Sequence, residues 1–353
     1  MVISRTPFRI SFFGGGTDYP AWYRKNGGQV LATTINKYCY ITCRYLPPFF
    51  EHRTRVVYSK IENCHTLEEI QHPAVRETLR FLKLERGLEI HHDGDLPARS
   101  GMGSSSSFTV GLLNALYALL GIMPSTHRLA LESIHIEQEM IKETVGSQDQ
   151  IMAAYGGLNH LTFKTNGDIA IRAVTVSQER REELNAHLML FYTGIKRTAS
   201  DLAKTYVENL DEKKDHLHAM QGMVDEALDV LGSNRCICNF GELLHKSWML
   251  KRGLSSQVSN PVVDELYDQA REHGAIGGKI TGAGGGGFLL LFVPPSAQER
   301  VRRALQGLLY VPFKFESSGT QVIFFEPIRE DYATLDKERT INSIRPFREL
   351  TSL

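Results

Sequence analysis

The sequence of 353 residues has no excess of either charge: Lys+Arg and Asp+Glu both number 40. A protein that grips nucleic acid normally carries a basic excess or stripe, so nucleic acid is not an expected partner. Long apolar runs are also missing. The stretch 288–293 is unsurpassed in length, against the roughly 20 residues a membrane helix needs, so no membrane partner is expected either. Arg5 and Arg9 interrupt the apolar opening, which argues against a secretory leader. Cysteine is sparse, and Cys39, Cys43, Cys64, Cys236 and Cys238 form no CxxC pair. Reduced thiols in a cytoplasmic protein are the expectation, with Cys39 and Cys43 packed on one face of a strand.

Two nucleotide signatures are lacking as well. The Gly278-Lys279 pair is followed by Ile280, and His273 stands where a Walker A loop needs its first glycine. No protein-kinase catalytic loop or DFG is found. A kinase of either class is thereby excluded.

Glycine, by contrast, is plentiful and gathered into three loops. The first, FFGGGTDYP, ends an apolar strand in Gly14, Gly15 and Gly16 before Thr17 and Asp18. Such a run weakens any element, so it implies a close backbone approach or a turn through positive φ. The second, DLPARSGMGSSSS (95–107), leads into an apolar helix carrying Leu112, Leu113, Leu116, Leu119 and Leu120 on one face. A helix start offers unpaired N–H groups and the positive end of its dipole, which suits phosphate. One serine would serve as a helix cap, whereas GxG followed by four serines points to anion binding. The third, GGKITGAGGGG (277–287), satisfies GxGxxG at 282–287. A strand follows where the dinucleotide fold requires a helix, so the match is a decoy, and a tight glycine turn against a ligand or another loop fits better.

Length favours two domains. Strands are predicted over 8–13, 29–46, 55–59, 88–92 and 158–164, with helices over 73–84, from 108 to 120 and over 126–142. After a polar stretch come a strand at 187–193, helices around 197–230, 237–251 and 261–273, a strand at 288–293, a helix at 296–308 and a strand at 321–325. The pattern is α+β, with a split βαβ arrangement in the second half. Domain boundaries are placed at 1–178 and 179–330, followed by a polar tail at 331–353.

Three such loops in this order resemble the GHMP small-molecule kinases, over roughly residues 3–293. PARSGMGSSSS looks like that family's phosphate loop, with Met102 in place of Leu and Ser106 in place of Ala. KITGAGGGG looks like its third motif. The resemblance implies a ribosomal-protein-S5-like N-terminal domain and a ferredoxin-like C-terminal domain. It implies ATP held by Pro97, Gly101, Met102, Gly103, Ser104, Ser105 and Ser106, with Gly282, Ala283, Gly284 and Gly285 buttressing the phosphates. It also implies Mg²⁺ on Ser105 and Glu137, with Glu139 and Glu143 as rival ligands. Asp149 and Arg9 are the implied catalytic pair, Asp149 as base or orienter of the attacking hydroxyl.

Thr17-Asp18-Tyr19 is shared with the galactokinase form of the first motif and points to a sugar acceptor. Gly15 and Gly16 replace side chains that contact galactose there, leaving room for a larger or phosphorylated sugar. RTPFRISFFGGGTDYP, with TGIKRTASD at 193–201, resembles the branch that phosphorylates the anomeric hydroxyl of heptose 7-phosphate for surface-polysaccharide synthesis. A sugar phosphate and ATP are then the partners, and homo-oligomers are open. Lys196 and Arg197 are the first candidates for the substrate phosphate, followed by Arg99 and Lys37. The alternatives are a kinase of an unphosphorylated sugar such as fucose or galactose, and a non-catalytic nucleotide-binding regulatory protein.

Overall fold

A computed structural model describes residues 1–47, 49–195, 213–255 and 257–327. The chain opens with β1 (Val2–Phe13), α1 (Pro20–Asn26), β2 (Gly28–Tyr45), β3 (Thr54–Val57), β4 (Ile61–Cys64), α2 (Pro73–Phe81) and β5 (Leu88–Gly94). Then come α3 (Ser104–Leu119), α4 (Thr126–His135), a wide π-helical turn (Ile136–Met140), α5 (Gln148–Tyr155), β6 (Leu158–Phe163) and β7 (Ile169–Ala173). A second group follows: α6 (Gln178–Ala186), β8 (Leu188–Tyr192), α7 (Lys214–Gly232), α8 (Cys238–Arg252), α9 (Pro261–Glu272), β9 (Gly277–Ile280), β10 (Phe288–Phe292), α10 (Gln298–Ala304) and β11 (Leu309–Tyr310). Two short strands, β12 (Phe315–Glu316) and β13 (Gln321–Phe325), close the described chain.

The strands form two sheets. In the first, β13-β1-β2-β5-β3-β4 lie side by side, and the long β2 also pairs with β6 and β12, while β7 joins β6. Length is what lets β2 serve both: residues 28–33 pair with β6 and residues 39–45 with β5. The second sheet has the order β11-β8-β10-β9, all antiparallel. Burial explains the sequence pattern. From Thr6 to Phe13, β1 is buried on both faces, so no polar alternation marks an outer face and even Arg9 and Ser11 are buried. The helix α3 runs through the middle of the first group, packing on β1, β2 and α5, and is apolar nearly all round for that reason. Cys39 and Cys43 are both buried.

Several expectations are corrected. The helix predicted from 108 starts at Ser104, so the serines form its first turn. The helix expected over 126–142 is α4 followed by the π-helical turn; Ser125 caps its start, its hydroxyl accepting from the Arg128 N–H at 3.2 Å. Residues 277–280, read as part of a turn, form a buried strand. The segment 179–330 is not one spatial unit, because β12 and β13 return to pair with β2 and β1 of the first sheet. Strand pairing is nonlocal, so the apolar pattern of 321–325 reveals a strand but not its neighbour. The polar tail at 331–353 lies outside the described residues. Among the described residues no helix is long and apolar enough to cross a membrane.

Candidate active site

The three glycine loops converge on one cavity of about 260 Å³. Arg9 projects from β1, and its guanidinium grips Asp149 with two bonds: Nε donates to Oδ1 at 2.7 Å and Nη2 to Oδ2 at 2.6 Å. The remaining arm, Nη1, donates to the Gly101 carbonyl at 2.7 Å, tying the pair to the second loop. Such a fork fixes the plane of the carboxylate as well as its position. Asp149 lies in the first turn of α5, where the helix dipole favours a negative charge. Arg9 is buried, whereas Asp149 is about a quarter exposed and faces the cavity.

Gly103, at φ +75°, precedes the first turn of α3, and a Cβ added there would meet Arg9 Cγ at 3.2 Å and Asp149 Oδ2 at 3.4 Å. Bare backbone thus lets the helix start approach the ion pair. Gly101 faces the third loop: a Cβ on Gly282 would stand 2.6 Å from the Gly101 Cα, and one on Gly101 would stand 2.5 Å from the Thr281 carbonyl oxygen. The two loops touch backbone to backbone, which answers why both are stripped of side chains.

Asp18 is buried on the cavity wall beside the start of α5. Its Oδ1 accepts from the Gly16 N–H at 2.9 Å, and the Gln148 N–H reaches Oδ2 at 3.4 Å. Burial, followed by the charge of Asp149 opposing these backbone bonds, pushes its carboxyl above the ordinary range. Gly15 and Gly16 line the cavity beside it.

Glu137 is wholly buried on the π-helical turn, a distortion that recurs at functional sites. Its Oε2 accepts from the Ser106 hydroxyl at 2.9 Å and from Gln150 Nε2 at 2.5 Å. Its Oε1 has no partner among the described residues. Burial pushes the carboxyl up to about 7, against the hydrogen bonds that hold its charged form, among them those from Ser106 and Gln150. The hydroxyl that meets Glu137 is therefore Ser106; the expected partner Ser105 is exposed on the cavity side, because one step along a helix turns a side chain by about 100°. Glu143 is half-buried at the cavity wall, its carboxyl raised by burial. Among the described residues no cluster of three His, Cys, Asp or Glu side chains gathers as a metal site.

Other expected residues serve the scaffold. Thr17 is buried away from the cavity, its hydroxyl donating to the carbonyls of Gly14 at 2.8 Å and Gln29 at 2.9 Å. Met102 is a core side chain, and its carbonyl accepts from the Arg9 N–H at 3.1 Å. The Pro97 carbonyl accepts from the Ser100 hydroxyl at 2.7 Å. Gly282 and Ala283 line the cavity; Gly284 and Gly285 instead pack on Val258. Ser104, Ser105, Ser106 and Arg99 line it too, Lys37 does not, and Lys196 and Arg197 lie outside the described residues.

Sequence reading missed two buried lysines of the cavity. Lys279 on β9 donates to the carbonyls of Ser11 at 2.9 Å and Phe12 at 3.0 Å. Lys251 on α8 donates to the Gly282 carbonyl. A signal for Lys251 existed: Leu244, Trp248 and Lys251 recur at helical spacing on a buried face, where a lysine is out of place.

Comparison with known proteins supplies the context. Residues 69–157 match the family model "GHMP kinases N terminal domain" and residues 233–311 match "GHMP kinases C terminal". The chain is 29% identical over 338 residues to the D-glycero-alpha-D-manno-heptose 7-phosphate kinase of Campylobacter jejuni, covering 90% of this chain and 97% of that one. It is 26% identical to the L-fucokinase/L-fucose-1-P guanylyltransferase of Bacteroides fragilis over 86% of this chain, but spans 36% of that protein. Among solved structures, a D-glycero-D-manno-heptose 1-phosphate kinase from Bacteriodes thetaiotaomicron shares the fold at TM-score 0.75 and 24% identity, covering 92% of this chain and 100% of that one. Lactococcus lactis galactokinase with galactose bound shares it at TM-score 0.70 and 18% identity, over 91% of this chain and 94% of that one.

Proposed function

Because the chain belongs to the GHMP kinases, which move a phosphoryl group from ATP to an alcohol, we propose that it phosphorylates the anomeric hydroxyl of a heptose 7-phosphate. The observation that carries the reading is the Arg9–Asp149 ion pair, set in one cavity with the glycine loop and serine-rich start of α3. The similarity to the Campylobacter jejuni kinase along nearly the whole chain supports the choice of acceptor.

The triphosphate lies against Gly101, Gly103 and the first turn of α3, whose N–H groups and dipole favour anions. The acceptor lies between Asp18 and Asp149. Asp18, held by backbone N–H groups, accepts hydrogen bonds from sugar hydroxyls, while Gly15 and Gly16 leave space for a bulky ring. Asp149 aims the attacking hydroxyl at the terminal phosphorus. Its two hydrogen bonds from Arg9 fix the carboxylate for aiming, and a loose transition state asks for little deprotonation before the oxygen–phosphorus bond forms. An anomeric hydroxyl is more acidic than an ordinary alcohol, which lightens the demand further. As the new bond forms, the bond from the γ-phosphorus to the bridging oxygen breaks and the hydroxyl proton passes to Asp149 and then to water.

The donor set fits Mg²⁺: the unpartnered Oε1 of Glu137 and the serine hydroxyls at the start of α3 are hard oxygen ligands. Ser105, Ser106 and Glu137 would hold the ion, and it would neutralise phosphate charge. The reaction belongs in the cytoplasm, where ATP is supplied.

The test is ADP release with ATP and, separately, heptose 7-phosphate, fucose and galactose. Turnover of heptose 7-phosphate well above the other two is expected. Turnover of fucose alone overturns the choice of acceptor, and nucleotide binding without turnover of any sugar favours a regulatory protein.

A further inference from the structure

The cavity holds more buried positive charge than its ion pair uses. Arg9 is matched by Asp149, but Lys251 and Lys279 also line the cavity and are buried, with only Asp18 left as a buried carboxylate on its wall. Burying an ammonium is costly unless it is paired or well hydrogen-bonded. The two lysines solve this differently. Lys279 gives two bonds to the carbonyls that end β1, so it is anchored in the scaffold. Lys251 gives one, to the Gly282 carbonyl, among the described residues, and two of its three N–H groups have no protein acceptor there. Gly282 is the residue that packs on Gly101, so the Lys251 ammonium stands where the second and third loops meet. The charged groups it senses are Arg9 from β1, Asp18 from the loop after β1 and Asp149 from α5, with Lys279 of β9 nearby.

From this geometry we infer that Lys251 is a further catalytic cation, whose ammonium binds the oxygens of the phosphoryl group during transfer. The inference rests on the kinase reading above and adds a residue to it. In transfer, the Lys251 N–H groups turn from the Gly282 carbonyl toward the terminal phosphate, which carries more charge than a carbonyl and draws the ammonium more strongly. Arg9 then keeps Asp149 in place while Lys251 meets the charge that builds on the phosphoryl oxygens. Burial chiefly, and then the charge of Arg9, pull the Lys251 ammonium down to about 8, opposed by Asp18 and Asp149. Its protonated form is therefore lost as pH rises through that value, and with it the stabilisation of the phosphoryl group.

The experiment compares the full chain with Lys251→Met and Lys251→Arg, measuring kcat and KM for ATP and for the sugar phosphate, binding of a non-hydrolysable ATP analogue, and kcat/KM against pH. For Lys251→Met, kcat should fall about 100-fold or more, while both KM values stay within about threefold, the pattern of an interaction made in the transition state. Lys251→Arg should recover part of that loss, and the alkaline fall of kcat/KM near pH 8 should move upward with it, because a guanidinium stays charged. A kcat unchanged in Lys251→Met overturns the inference. So does a rise in the sugar-phosphate KM with kcat kept, which would assign the ammonium to the acceptor's own phosphate. Should Lys251→Met not fold, an alkaline limb in Lys251→Arg identical to that of the wild type overturns it. If the wild type turns over another sugar instead, the choice of acceptor fails while Lys251 is judged with that sugar.

Discussion

One wall of the cavity is built from the first sheet and its helices, and it works through charged side chains: Arg9, Asp18 and Asp149. The facing wall comes from the second sheet, and at Gly282 and Ala283 it offers almost bare backbone, with Lys251 beside it. The first wall is held by hydrogen bonds of specific geometry, the second by contacts so close that no side chain fits between them. The two should therefore respond to opposite kinds of change. The first should tolerate small changes of shape but no loss of charge, and the glycine backbone of the second no change of shape, its lysines apart.

Four substitutions sharpen or break this contrast. Asp149→Asn keeps the shape and removes the charge, and kcat should fall about 1,000-fold. Binding of an ATP analogue should change little; turnover near the wild-type rate would show that the pair is only structural. On the other wall, Gly282→Ala adds no charge, yet its Cβ would stand 2.6 Å from the Gly101 Cα at a φ of +67°. The two loops must part, and affinity for the analogue should drop at least about tenfold, with about 1–3 kcal/mol of stability lost to the strained backbone. Unchanged affinity and melting would mean that the third loop does not support the second.

Asp18→Asn tests the acceptor end of the charged wall. The KM for the sugar should rise about tenfold, since each lost bond to a hydroxyl is worth about 1–2 kcal/mol, while the KM for ATP stays near its value. Equal rises for both substrates would place Asp18 outside the sugar's reach. The smallest kinetic effect is expected at Thr17→Val, one position away. There the Gly14 and Gln29 carbonyls lose a donor and the Gln29 N–H loses its acceptor, so stability should fall by about 1–3 kcal/mol. Neither KM should move once the measurement is made well below the melting point.

The glycine loops were legible because their composition is costly unless something comes close, and the structure shows what does: each other's backbone at Gly101 and Gly282. Arg9 and Asp149 lie 140 positions apart, and no local pattern joins them; resemblance to a family made the connection. Lys251 was lost in a helix that also carries Lys246 and Arg252, where a lysine ordinarily reads as a solvated charge. That Ser106, and not Ser105, meets Glu137 was not legible, because the phase of a helix start, fixed by its cap at Gly103, is not written in four identical letters. The second group of elements was readable as helices and strands, but where the chain leaves it was not.

That exit has a mechanical consequence. Since β13 lies along β1, with Val2 opposite Phe325 and the Glu326 N–H on the Met1 carbonyl, the second sheet hangs from the first like a pannier with two straps, one before β8 and one after β11. A single protease cut in either strap would leave both halves tethered and the cavity's walls opposed. Phe12 of β1 also packs edge to face on Phe240 of α8, ring centroids 5.3 Å apart in a core common to both groups, so parting the two halves would have to break that contact as well.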